Sequence, residues 1–186
     1  MNNLNMEQRL DRVESRAQIE ELIARYGIAC DDRDMENLAA CFTSDIHIGT
    51  PNGSMNSQGL ESVMDMYNGL FNVRGPGFHW SHDRIIKFDD ADPDVATGLI
   101  LSHAETYPAG NVSIAGMRYF DKYRRSACEW RFSERILNFV YYLPVADYID
   151  RFKRLDRVKT TDGWANADFP EGAASWARWH RKHLEG

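Results

Sequence analysis

The chain has 186 residues, 43% hydrophobic and 27% charged, with a net charge of −6 at pH 7. That length and balance describe one soluble globule able to bury a real core. No run of Lys or Arg exceeds two residues. The basic stripe that nucleic acid or an anionic lipid surface requires is therefore missing, and neither is expected as a partner.

The first residues, MNNLNMEQRLDRVE, contain no apolar h-region, and nowhere do 18 apolar residues run together. No signal peptide and no membrane span are expected. Residues Met6–Cys30 carry Leu10, Val13, Ile19, Leu22, Ile23, Tyr26 and Cys30 largely at i, i+3, i+4 spacing, the pattern of an amphipathic helix. Asp34–Phe42 reads as a second, short helix with Asp34 as its N-cap. Ser44–Thr50 reads as a short strand closed by the turn cluster PNGSMNSQG. Leu60–Phe71 is helical again, and RGPG (Arg74–Gly77) ends it, since proline and two glycines cannot continue a helix.

From there the period switches to two. Trp80–Phe88, Val95–Tyr107, Val112–Tyr123 and Trp130–Tyr142 read as four long strands joined by DDADPD, PAGN and RRSAC, the spacing of an antiparallel meander. Three helices followed by a sheet is an α+β layout in which a curved sheet wraps the helices. Pro144 divides the chain into a main domain, 1–144, and a helical C-terminal extension, 145–186, which packs on the main domain or on a neighbouring subunit. In that extension VADYIDRFKRL and AASWARWHRKHL read as helices and TTDGWANADFPEG as a loop. The three cysteines, Cys30, Cys41 and Cys128, are an odd count with no CxxC, which suits a reduced, cytoplasmic setting.

The chemistry concentrates in Gly77–Phe88 (GFHWSHDRIIKF), where a histidine-rich turn enters an apolar strand and sets His79 at its mouth. A neutral imidazole backed by a carboxylate is a general base, because the carboxylate fixes the tautomer and stabilises the imidazolium that forms. Asp31 is the candidate partner; on its own it reads as well as a solvated helix-end carboxylate beside Asp32 and Asp34. Tyr26 and Asp31 lie about 140° apart on a regular helix. Both line one cavity only if the helix ends near Cys30 or the cavity wraps its end. His79-x-x-His82-Asp83 and His180-x-x-His183 are the only metal-like spacings, and a regular strand points positions 79 and 82 to opposite sides. Without HExxH, CxxC, P-loop, GxGxxG or GxSxG patterns, no metal and no cofactor are expected.

Tyr26 with Asp31 in RYGIACDDRDMENLAACF, His79 with Asp83 in HWSHDRIIKF, and the final strand YRRSACEWRFSERILNFVYYLP carry a resemblance. They resemble the SnoaL-like branch of the nuclear-transport-factor-like superfamily, which includes scytalone dehydratase, hexachlorocyclohexane dehydrochlorinase and bile-acid dehydratase. The resemblance spans residues 10–145. It implies a cone-shaped α+β barrel around an apolar cavity, a His–Asp dyad and a homo-oligomer, with a trimer favoured over a dimer. By position His79 is the base, Asp31 its partner, and Tyr26 the phenol that polarises or protonates a departing oxygen. Arg135 falls where some relatives place a cavity arginine. Asp83 departs from the asparagine of many members and is a candidate contact for a substrate hydroxyl.

Strand parity leaves the inner face of the second long strand open; the resemblance favours the side of His103, as a second cavity histidine. Arg135 is either an anion or oxygen ligand in an apolar cavity or the partner of Glu105 or Asp83. Tyr119 is either a pocket phenol or core. Together these imply a cofactor-independent lyase for a mid-sized apolar, hydroxylated small molecule, aromatic or polycyclic, releasing water, halide or formaldehyde. A ketosteroid-type isomerase in the same cavity and a non-catalytic binding or assembly module are the rivals.

Overall fold

In the computed structural model, which describes residues 4–184, Asn5 opens α1 (Met6–Asp32) with a capping box. Its side chain accepts from the Gln8 N–H at 2.9 Å and its own N–H donates to the Gln8 side chain at 3.0 Å. The first turns of α1 are mostly exposed. Burial starts in earnest at Ile19 and continues through Leu22, Ile23, Tyr26, Ala29 and Cys30, one stripe at helical spacing. Arg33 ends the helix in the left-handed region (φ 57°), a conformation that costs a non-glycine residue about 1–2 kcal/mol. Its guanidinium offsets that cost by donating to the carbonyls of Arg74 and Gly75, at 2.6 and 3.1 Å. The end of α1 is thereby tied to the loop that enters the long strands. Asp34 caps α2 (Met35–Ala40), accepting from the Asn37 N–H at 3.0 Å.

The chain continues through β1 (Phe42–Gly49), β2 (Asn56–Gln58) and α3 (Leu60–Val73). Four long strands follow: β3 (Phe78–Phe88), β4 (Val95–Thr106), β5 (Ser113–Ser126) and β6 (Glu129–Pro144). The sheet order is β2-β1-β6-β5-β4-β3, antiparallel throughout except for the parallel pairing of β1 with β6. The layout is α+β as expected, but the sheet does not close into a barrel. Strand β3 pairs only with β4 and packs against α1, so a helix occupies the place a closing strand would take.

On β4 the buried side is Ala96, Gly98, Ile100, Ser102, Ala104 and Thr106, while Thr97, Leu101 and Glu105 face out. The small residues leave room for large neighbours. A Cβ on Gly98 would lie 2.6 Å from the Tyr123 hydroxyl, so Tyr123 fits against β4 only because glycine stands there. Bulges interrupt this alternation on the flanking strands. On β3, His82 and Asp83 together face one residue of β4, because Ser81 pairs with Ser102 and Arg84 with Ile100. On β6, Ser133 is the extra residue, since Phe132 pairs with Tyr123 and Glu134 with Lys122, so Phe132 and Arg135 are both buried.

After a 3-10 turn (Val145–Asp147) come α4 (Tyr148–Arg151), β7 (Val158–Thr160), β8 (Gly163–Ala165) and α5 (Ala174–Leu184). The segment expected as a loop overlaps a hairpin, turned at Thr161–Asp162, whose first strand adds to β6 at Tyr142. Arg157 is buried, paired with Glu171 at 2.7 and 2.9 Å and donating to the Val140 and Phe169 carbonyls. Phe169 stacks on Phe120 and lies under Arg118. The extension as far as Glu171 therefore packs on the outer side of β5 and β6. Helix α5 exposes Trp176 and Trp179, each against a histidine of its own helix.

Candidate active site

His79 is the second residue of β3, and Asp31 sits in the last turn of α1. One carboxylate clasps one residue twice. Asp31 Oδ2 accepts the His79 backbone N–H at 2.9 Å, and Oδ1 lies 2.6 Å from His79 Nδ1. Both side chains are largely buried, at 21% and 14% exposure. A carboxylate only accepts, so Nδ1 carries a proton, and in the neutral ring Nε2 is the bare nitrogen. Nε2 has no hydrogen-bond partner among the described residues.

The helix runs on to Asp32, so Tyr26 and Asp31 do point to different sides. Tyr26 and Cys30, one turn apart, line a cavity of about 70 Å³ between the helices and the sheet. Asp31 does not line it and is reached through His79, which forms part of the wall. Asp31 faces instead an outer groove between α1 and β3, about 410 Å³ in volume and flanked by the exposed Ile28, Phe78 and Trp80.

The cavity floor carries phenols. The Tyr26 and Tyr67 hydroxyls are 2.8 Å apart, and Tyr119 completes the wall. Burial, reinforced by the Cys30 thiol, pushes the Tyr26 phenol well above its ordinary range. Burial also raises Tyr67 and Tyr119, and it pushes Cys30 up to about 12. These groups are therefore neutral hydrogen-bond donors at working pH, and Cys30 is no thiolate nucleophile.

Arg135 lies behind the floor with no exposure, its guanidinium 4.1–4.3 Å from the Tyr26, Tyr119 and Phe132 ring centres. Its Nε and Nη2 donate to Asp121 at 2.9 and 2.8 Å, while Nη1 has no partner. Burial works against its charge and Asp121 outweighs it, so the guanidinium stays charged. The partner is neither Glu105 nor Asp83. Asp121 is the residue directly opposite on β5, a pairing set by a register that the bulge at Ser133 shifts.

Two expected site residues lie elsewhere. His103 is on the outer side of β4, with Nε2 2.6 Å from the Tyr141 hydroxyl; the inner side belongs to the small residues that make room for the cavity. Tyr141 fits there because Gly116 offers no Cβ, which would stand 2.7 Å from its ring. Asp83 is exposed, turned outward by the β3 bulge. Tyr67, Arg74, Thr106 and Tyr142 line the cavity and were not expected. The α3 spacing Val63, Tyr67, Leu70, Arg74 marks that face in the sequence. Among the described residues no group of three or more His, Cys, Asp or Glu is placed to hold a metal ion, and no helix is long and apolar enough to cross a membrane.

The SnoaL-like domain family matches residues 11–136. The chain belongs to that family. It is 29% identical over 141 residues to gamma-hexachlorocyclohexane dehydrochlorinase of Sphingobium indicum, covering 74% of this chain and 88% of that protein. A hexachlorocyclohexane dehydrochlorinase from Novosphingobium barchaimii has the same fold, with a TM-score of 0.67 at 23% identity over 74% of this chain and 94% of that one. A candidate scytalone dehydratase from Novosphingobium aromaticivorans does too, with a TM-score of 0.66 at 19% identity over 72% and 89%.

Proposed function

We propose that this SnoaL-like protein is a cofactor-independent lyase in which His79, oriented by Asp31, removes a proton from a small apolar substrate held in the cavity. The observation that carries the reading is the 2.6 Å contact between Asp31 and His79 Nδ1, with His79 itself part of the cavity wall. The names of its relatives, dehydrochlorinases and a candidate dehydratase, favour elimination.

In an elimination, Nε2 takes the proton, the C–H electron pair becomes the new double bond, and the carbon–oxygen or carbon–halide bond breaks with its electrons. A departing oxygen takes its proton from the neutral Tyr26 phenol, which Tyr67 holds in place. A halide leaves unprotonated. For a hydroxymethyl substrate, Nε2 takes the hydroxyl proton, the O–H pair becomes the C=O bond of the departing formaldehyde, and the carbon–carbon pair stays on the carbon left behind, which takes a proton from the Tyr26 phenol. General acid–base catalysis of this kind supplies about 10²–10⁴ in rate. Arg135 holds the Tyr26 and Tyr119 rings through its faces and lends them positive potential.

A benzene-sized guest fills about 150 Å³ in a protein cavity, twice the free volume here. A mid-sized aromatic substrate therefore enters by displacing Met55, Met66 and Phe71, of which the two methionines are the most adaptable. The exposed Ile28, Phe78 and Trp80 flank the groove behind Asp31, and in the homotrimer favoured here a second copy covers them and shields the dyad from water. Three free cysteines suit the reducing cytoplasm.

The test is a screen of hydroxylated aromatic and polycyclic compounds with product mass spectrometry. A lyase gives a product lighter by water, hydrogen halide or formaldehyde, and His79→Gln abolishes it. Unchanged mass assigns an isomerase. Absence of any turnover, with ligand binding indifferent to His79→Gln, assigns a binding module.

A further inference from the structure

We propose that the cavity takes a carboxylate-bearing substrate, with Arg74 receiving the carboxylate at the mouth while the reacting end lies at His79 and Tyr26. The proposal rests on the cavity being the substrate site and names the class of molecule it accepts.

Arg74 is held on its main chain from three directions. Its N–H closes α3 on the Leu70 carbonyl at 3.1 Å, its carbonyl accepts from Arg33, and it bridges to Pro108. Its side chain is half-buried in the cavity wall, yet the guanidinium makes no hydrogen bond, ion pair or ring contact with any described residue. The buried Arg135 and Arg157 and the partly buried Arg125 each hold a carboxylate, and the partly buried Arg118 lies over the Phe169 ring. A guanidinium partly withdrawn from water beside apolar walls is costly without an anion, and its planar fork matches a carboxylate. The C-terminus of α3 favours a positive charge at this place, but a side chain turned into solvent satisfies that equally well. It does not account for a place in the cavity wall. Arg33, also without an ion pair, adds a second positive charge near the same mouth in a chain that is otherwise net acidic.

Helix α3 also sets a length. Tyr67, Leu70, Phe71 and Arg74 all line the cavity, running from phenol through apolar groups to guanidinium. Seven residues of helix separate the Tyr67 and Arg74 backbones by about 10 Å. A matching substrate carries its carboxylate at one end of a rigid apolar or aromatic skeleton and its reacting oxygen or carbon at the other. A one-ring phenylpropanoid acid has that form.

Isothermal titration with 4-hydroxycinnamate and its neutral amide, 4-hydroxycinnamamide, tests this on the full chain without any need for turnover. Wild type is expected to bind the acid at least about tenfold more tightly than the amide. Arg74→Met should erase that preference while leaving amide affinity and the unfolding temperature unchanged, and Arg74→Lys should keep part of it. His79→Gln should retain the preference, so that a failure of the lyase reading is distinguishable from a failure of this one. Equal binding of the two probes, a preference that survives Arg74→Met, or binding of neither at millimolar concentration overturns the proposal.

Discussion

Two acid–base pairs stand on either side of Tyr26, and they differ in access. Asp31 and His79 meet at the edge of the cavity, each partly accessible, and one ring nitrogen is left bare. Asp121 and Arg135 meet behind the cavity floor, both at zero side-chain exposure, with two parallel hydrogen bonds between them. On the proposed reading the first pair exchanges a proton with a guest. The second has nowhere to send one, and its effect is to fix the aromatic rings stacked on it. On that reading a reactive pair differs from a scaffolding pair in the direction in which its spare valence points, not in the strength of the contact.

Substitutions that break the contrast should rank accordingly. His79→Gln is expected to lower kcat by about 10³-fold or more while leaving the urea midpoint close to wild type. An unchanged rate would remove His79 from the chemistry. Arg135→Met should do the reverse and act first on stability, by about 3–5 kcal/mol in urea titrations, because it strands the Asp121 carboxylate in the core. Adding Asp121→Leu should restore much of the loss, and a double variant no better than the single one would refute the scaffolding role.

The phenols around Arg135 sharpen the contrast through pH. Burial raises Tyr26, Tyr67, Tyr119 and Tyr123 above their ordinary range. The folded state therefore favours their neutral form. That contribution is complete below the ordinary phenol value of about 10 and is lost as pH climbs toward the raised folded values. Absorbance titration should show these four ionising together with unfolding, after the exposed tyrosines; early ionisation of all eight would contradict their burial. The smallest effect is expected at His103. His103→Leu, on the outer side of β4, should change kcat by less than about twofold.

Most of the fold was legible because it is periodic. The stripe on α1, the Asp34 cap and the four long strands all follow from spacing and turn chemistry, and the His79–Asp31 pairing followed from motif resemblance. What escaped was aperiodic. The bulges at His82–Asp83 and Ser133 invert the inside and outside of a strand partway along, so neither the outward turn of Asp83 nor the pairing of Arg135 with Asp121 could be read from the alternation. On β4 the alternation is regular, but small residues mark the inner face, where a large polar residue such as His103 would fill the cavity. The β7–β8 hairpin hid in a polar segment because each strand is only three residues long. The closed barrel failed for a different reason: nothing in strand periodicity says whether a last edge meets a strand or a helix.

The most direct test of the central claim is the state of the His79 ring, read from long-range ¹H–¹⁵N correlations on histidine-labelled protein and on Asp31→Asn. The account predicts a neutral His79 with its proton on Nδ1 and a bare Nε2 in wild type, and loss of that single tautomer in Asp31→Asn. A wild-type ring protonated on Nε2, or a tautomer indifferent to Asp31→Asn, would contradict it.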